Sequence, residues 1–143
     1  MRKKSNSLAK KAFKKVKEKS VSFWKKKAWV LFSKWIRERD NYTCITCGKK
    51  GKGSFIHAGH YISRKHCATM FDEKNANAQC MNCNIWGYGN MGVYTLKLQE
   101  KYGEGIIREL TEKSRQVKQF SVEELKDIIT IYTARLTDYE IIK

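Results

Sequence analysis

Acidic residues are scarce in this sequence, long apolar runs are absent, and the cysteines do not pair off evenly. The 143 residues hold 14 Asp plus Glu against 30 Lys plus Arg, a formal net charge of +16 with a pI near 9.7. So lopsided a balance speaks against polycationic partners and predicts phosphate-bearing ones, because each Lys or Arg set on a phosphate releases condensed counterions. A merely soluble basic chain is the plainer alternative. No apolar run approaches the roughly 18–20 residues of a membrane span, so no membrane partner is expected. Behind Met1-Arg2-Lys3-Lys4 there is no hydrophobic stretch of the kind a signal peptide needs. The expectation is therefore a cytoplasmic protein. Five cysteines cannot form a complete disulfide framework, and four of them fall into two C-x-x-C pairs. In a reducing compartment that spacing reads as metal binding, with Cys67 left over as an inert thiol. At 41% hydrophobic and 31% charged residues, the composition fits one compact domain of modest core plus an appended arm.

The arm is residues 1–27, with twelve Lys or Arg against one acid, Glu18, and neither Gly nor Pro. Leu8, Ala12 and Val16 form a weak stripe at helical spacing, so the arm is either a phosphate-gripping helix or a solvated tail. Lys10, Lys11, Lys14 and Lys15 are its candidate DNA contacts. Residues 28–92 are expected to form the core. Its leading helix is signalled by Trp24, Ala28, Leu31, Phe32, Trp35 and Ile36 and ends near Arg39-Asp40-Asn41. A cysteine turn, a loop with Gly51 and Gly53, and a β-like run Ser54–His57 follow. Residues 93–143 read as helices: Val93–Tyr102 stopped by Gly103, then Ile106 to about Val117. A third is opened by a Ser121/Glu124 capping box. On this last helix Leu125, Ile128, Ile129, Tyr132 and Leu136 make an apolar stripe that packs on the domain or on a second subunit.

Cys44-x-x-Cys47 and Cys80-x-x-Cys83 stand 32 residues apart. Two such turns converge on one tetrahedral ion, and four thiolates suit zinc. With no open coordination position, that zinc is structural. Between the pairs lie His57-Ala58-Gly59-His60 and Asn75, and Asn84 follows Cys83 directly.

This order, C-x-x-C, then His at a strand end, then N-x4-C-x-x-C-N, resembles the HNH endonucleases. The fuller pattern is similar to the NinG (Rap) recombination proteins of lambda-type phages over roughly residues 28–115. It consists of Arg39-Asp40, Cys44-x-x-Cys47-Gly48, Ala58-Gly59-His60-Tyr61-x-x-Arg64, Phe71-Asp72-Glu73-x-Asn75, Gln79-Cys80-x-x-Cys83-Asn84 and Gly89-Asn90-x-x-x-Tyr94. The resemblance implies an α+β fold: a zinc-stapled ββα-metal (HNH, treble-clef-like) core flanked by helices at both ends. It also implies a nuclease for branched recombination intermediates, Holliday junctions and D-loops, with a catalytic Mg²⁺ or Mn²⁺ beside the structural zinc. The setting would be a phage-infected bacterial cell, with other phage recombination proteins as further partners.

Phosphodiester hydrolysis needs a base for water and a cation for the leaving oxygen. His60 is the candidate base, against a purely structural histidine. Asn75 is grouped with it at the catalytic site, where it ties the loop to the strand by hydrogen bonds and orients the base rather than touching substrate. His57 and Asn84 are the candidate ligands of the divalent metal, Asn84 from the first turn of a helix carrying the second cysteine pair. His57 departs from the family segment D-A-G-H, and imidazole favours Mn²⁺ over Mg²⁺. In a regular strand His57 and His60 face opposite ways, so a bend at Gly59 is expected to bring them together. Arg64, Lys65 and His66 are either phosphate contacts or solvated loop charge. Tyr61 and Trp86 stack on bases or pack, and Asp72 and Glu73 order their loop. Cutting a four-way junction twice calls for a homodimer. The alternatives are a non-catalytic zinc-stapled nucleic-acid-binding module and a sequence-specific HNH nuclease.

Overall fold

Ser20 opens the first helix by accepting the Phe23 N–H on its hydroxyl at 3.3 Å, satisfying one of the free donors of the first turn. The structure is a computed structural model that describes residues 19–142, so the calls on Lys10, Lys11, Lys14 and Lys15 lie outside the described residues. Helix α1 (Val21–Arg39) buries Ala28, Phe32 and Ile36, three positions spaced by four on one face. Because α1 starts at Val21, the expected boundary between residues 27 and 28 falls inside it, and residues 21–27 continue the core helix.

Asn41 and Tyr42, at φ 49° and 50°, turn the chain out of α1. Arg39 then ties this corner to the sheet. Its guanidinium pairs with Asp40 at 2.9 Å and donates to the carbonyls of Glu73 (2.8 Å) and Ala76 (3.0 Å). Asp40 in turn accepts the Ala78 N–H at 2.7 Å. Burial acts to raise the Asp40 carboxyl, but Arg39 outweighs it and holds the group below the ordinary carboxylate range.

Two strands form the sheet. β1 (Ile56–His60) runs antiparallel to β2 (Ala76–Cys80), pairing Ile56 with Cys80 and His60 with Ala76 without interruption. The β-like run expected at Ser54 thus begins at Ile56, since Gly53–Phe55 make a 3₁₀ turn. All of β2 is buried. Ala58 and Ala76 are small enough to let Phe32, Ile36 and Tyr132 close on that face. A one-turn helix α2 (Cys67–Met70) lies in the connection between the strands.

After β2 comes a single π-helical turn, Asn82–Trp86, where a longer helix was expected. Then follow α3 (Met91–Tyr102), α4 (Ile106–Ser114) and α5 (Val122–Ile142). Gly103, at φ 95°, stops α3 as its sequence position suggests. The capping box forms: Ser121 N–H donates to Glu124 at 2.8 Å, and Glu124 N–H donates to the Ser121 hydroxyl at 3.1 Å.

The apolar stripe of α5 packs inside the chain. Leu125, Tyr132 and Leu136 are buried, and Tyr132 meets Phe32 of α1 edge to face at 5.2 Å. The centre of the stripe is therefore not available as the interface of a second subunit. Each such fully buried large side chain contributes about 1.5–3 kcal/mol. No helix of the described residues is long and apolar enough to cross a membrane. The architecture is α+β: one small antiparallel sheet between helices, with a cysteine cluster at its end.

Candidate functional site

The cysteine cluster forms where the sheet ends. Gly48, at φ 72°, lets the first knuckle close: its N–H reaches the Cys44 carbonyl at 2.8 Å, and the Cys44 N–H reaches Lys49 at 2.9 Å. Cys80 is the last residue of β2, and the Cys83 N–H donates to its sulfur at 3.5 Å. All four Sγ atoms lie within 4.8 Å of one another, with Cys47 and Cys80 3.6 Å apart. A tetrahedral ion with Zn–S bonds of about 2.3 Å needs sulfurs roughly 3.8 Å apart. These four cysteines can hold a zinc ion, on the residues the sequence singled out.

The thiols are poised unequally. Burial opposes ionisation of Cys44, yet the Thr46 hydroxyl at 3.1 Å and the backbone N–H groups of Cys80, Cys47 and Thr46 bring it down to about 6. Burial and the three neighbouring thiols push Cys47 up to about 12. A cation at the centre favours the thiolate at every position.

A separate open cleft of about 640 Å³ draws part of its wall from β1. Trp29, Ser33 and Arg37 present one face of α1 to it, spaced by four. His57 and His60 come from β1, Arg64 from the following loop, and Asn84 and Tyr88 from the region of the π-helical turn. No Asp or Glu lines this cleft.

His60 sits at the end of β1, with its ring stacked on Trp29 at 5.1 Å. Its Nε2–H donates to the Met70 carbonyl at 2.8 Å, which fixes the neutral tautomer with its lone pair on Nδ1. Burial lowers the His60 pKa below its ordinary 6.5, the Met70 bond acts against that, and the Arg64 charge adds to it. At neutral pH the ring can therefore accept a proton.

His57 meets Asn84 across 27 residues of chain. Its Nε2–H donates to the Ser54 carbonyl at 3.0 Å, and its Nδ1 accepts from the Asn84 amide at 3.0 Å. The bend expected at Gly59 is absent: the register of β1 is unbroken, so His57 and His60 stand on opposite faces of one strand. Both nonetheless line the cleft. Gly59 has another cause. A Cβ there would lie 2.4 Å from Gln79 Oε1 and 2.9 Å from Gln79 Cβ. Gln79, fully buried, is held across this glycine by donating to the Gly89 carbonyl at 2.7 Å. Its Oε1 has no hydrogen-bond partner among the described residues.

The four cysteines are the one group of three or more His, Cys, Asp or Glu that could hold a metal ion among the described residues, and His57 stands outside it. Donors about 3 Å apart span one edge of an octahedron with bonds near 2.1 Å. Rotating the Asn84 amide sets its oxygen beside His57 Nδ1, and the unpaired Gln79 oxygen lies near the same glycine. His57 and Asn84 together offer one imidazole and one amide, without a carboxylate.

Asn75 is not in the cleft. It is fully buried, accepting the Ile62 N–H at 2.8 Å and donating to the carbonyls of Ile62 (2.9 Å) and Thr69 (3.0 Å). These bonds tie the loop down from within, which is the positioning placement that the sequence suggests for it. Asn75 holds the loop whose Met70 carbonyl orients His60. Arg64 stacks over Trp29 at 5.0 Å, whereas Lys65 is exposed on the same loop and does not line the cleft. Tyr61 packs edge to face on Tyr94 at 5.4 Å and bonds Thr95. Trp86 is 72% exposed and Tyr88 90%. Asp72 and Glu73 order their surroundings, Asp72 with Lys113 and Glu73 with Trp35, Tyr132 and Arg135. Cys67 lies 3.3 Å from the Lys25 ammonium. Sequence reasoning missed Arg37 and Gln79. The i, i+4, i+8 spacing from Trp29 marks the first; nothing local marks the second.

Comparison with known proteins agrees with this pattern. The family model described as Bacteriophage Lambda NinG protein matches residues 1–141. Protein ninG of Escherichia phage 933W is 33% identical over 119 residues, covering 82% of this chain and 58% of the relative. Protein ninG of Escherichia phage lambda is 32% identical over 119 residues, covering 82% and 57%. The chain thus spans less than two thirds of the length of these relatives. No solved structure matches. With the family model covering nearly all of its residues, this chain belongs to the NinG family of lambda-type phages.

Proposed function

We propose that this chain is a metal-dependent, structure-selective DNA endonuclease of the HNH type, acting on branched recombination intermediates such as Holliday junctions and D-loops. The observation that carries this reading is His60: neutral, oriented by Met70, and open at Nδ1 toward an acid-free cleft. Water attacks phosphorus as His60 Nδ1 takes its proton; the P–O3′ bond breaks, and the 3′-oxygen leaves to be protonated by solvent. His57 and Asn84 would hold the divalent cation, Mg²⁺ or Mn²⁺, which supplies charge for the leaving oxygen. Arg64, held over Trp29, favours the bound phosphate and adds to the burial that lowers the His60 pKa.

The exposed ring of Tyr88, which lines the cleft, and that of Trp86, two residues earlier, support a preference for unpaired bases, since aromatic stacking needs bases freed from a duplex. Two nicks in one junction call for two copies of the chain. The second reading, a non-catalytic zinc-stapled binding module, is favoured by His57, which stands where the family segment has a carboxylate.

The test is cleavage of matched linear, flap, D-loop and four-way DNAs by wild type and His60→Ala in Mg²⁺ and in Mn²⁺. Branched cutting by the wild type, reduced at least about 10²-fold by His60→Ala with binding retained, supports the nuclease. A wild type that binds but cuts none of them establishes the binding module instead.

A further inference from the structure

Arg37 and Arg39 lie two residues apart at the end of α1 and are treated in opposite ways. Arg39 is saturated by Asp40, Asn77 and two carbonyls. Arg37 makes no ion pair and no side-chain hydrogen bond among the described residues, and its Nε is cut off from solvent with no acceptor. The Nε–H is withdrawn from water without a partner, which is unfavourable, and the two Nη groups, unpaired but not shut off from solvent, are the donors that an anion in the cleft can reach. The cleft that Arg37 lines offers none of its own: its walls carry Arg37, Arg64 and two histidines but no carboxylate. The planar fork of Arg37 suits two oxygens of one phosphate, and Ser33, one turn earlier on the same face, adds a hydroxyl.

We propose that Arg37 is a phosphate-binding residue of this cleft, which takes a nucleic-acid phosphodiester between Arg37 and Arg64 before any divalent cation is present. This rests on reading the cleft as a DNA site, though not on cleavage. Arg64 is free to adapt, being exposed and stacked on Trp29. Arg37 projects from a rigid helix and sets the register of the backbone against His60.

The test is fluorescence anisotropy of the zinc-loaded full chain on a labelled four-way DNA, in resin-treated buffer free of added divalent ions, over a range of salt. Arg37→Gln keeps the side-chain stem and helix propensity, Arg37→Lys keeps the charge, and Arg108→Ala removes an exposed charge outside the cleft. Arg37→Gln is expected to weaken binding about 10-fold or more and to make the plot of log K against log salt shallower by about 0.7–0.9. Arg37→Lys should recover the slope but only part of the affinity, and Arg108→Ala should change binding less than about 2-fold. Equal effects of Arg37→Gln and Arg108→Ala, or none from Arg37→Gln, overturn the proposal. A variant that melts at the wild-type temperature yet loses binding supports it. A melting loss shared by both Arg37 variants, with slope and affinity intact, assigns Arg37 to stability and overturns it. Wild type that binds through Arg37 but never cuts sinks the nuclease reading alone.

Discussion

Gly59→Ala is expected to destabilise the protein although the backbone there tolerates any residue. Gly59 lies in the regular strand β1 and outside the left-handed region, so alanine by itself would gain about 0.5–1 kcal/mol from reduced unfolded-state entropy. The new methyl would stand 2.4 Å from Gln79 Oε1, 2.9 Å from Gln79 Cβ and 3.3 Å from Asn84 Oδ1. A side-chain tip can move, but Gln79 is buried and pinned to the Gly89 carbonyl at 2.7 Å. Inserting a methyl into such a contact costs about 1–3 kcal/mol. The net loss is therefore about 1–2 kcal/mol, or roughly 3–8 °C in Tm for a chain of this size. Thermal melts of the zinc-loaded protein, followed by circular dichroism, read it directly. In a Gln79→Ala background the Oε1 contact is gone while the Cβ contact at 2.9 Å remains, so the same Gly59→Ala change should cost less than it does in the wild type without becoming stabilising. An unchanged or raised Tm for Gly59→Ala alone would refute the close-approach explanation.

A strong chelator should remove one zinc per chain, counted by elemental analysis, and collapse the circular dichroism of residues 40–90. No bound zinc and an unaltered spectrum would sink the four-cysteine site. The pH dependence of cleavage at saturating DNA follows from His60, whose folded pKa is depressed. The base is competent above that pKa and lost as pH falls through it, so the acid limb should lie below 6.5. Arg64→Ala removes one lowering influence and should move that limb upward; a downward shift would contradict the assignment. Because the donor set lacks a carboxylate, Mn²⁺ should support cleavage better than Mg²⁺, and His57→Asp should narrow the gap, measured as the ratio of initial rates. Removing both exposed rings, Trp86→Ala with Tyr88→Ala, should cost about 1–3 kcal/mol per stacked base on branched DNA and little on duplex. Equal losses on both substrates would count against base stacking.

Features written in adjacent residues were legible in advance. The α1 stripe, the Gly103 stop, the Ser121/Glu124 box and the two cysteine pairs each depend on spacings of three or four, which local backbone geometry imposes. The four thiols converge because each knuckle closes on itself, so only two pieces had to meet. His60 was legible as a residue; its Met70 partner and Trp29 platform were not, since both arrive through the packing of α1 and the interstrand loop. Asn75 was legible as a residue that ties the loop rather than touching substrate, but its partners, the backbone of Ile62 and Thr69, come from the fold.

Sequence by itself determined the four cysteines that can hold zinc, the helices and the basic character, because these are sums of local or compositional terms. The tertiary structure decided which of two neighbouring arginines is neutralised and which faces the cleft unpaired. Arg39 meets Asp40 and the carbonyls of residues 73 and 76, while Arg37, on another side of the same helix, meets none. It also decided that His57 joins Asn84 and that Gln79 lies across Gly59. Such pairings depend on strand register and helix docking, which no run of neighbouring residues encodes.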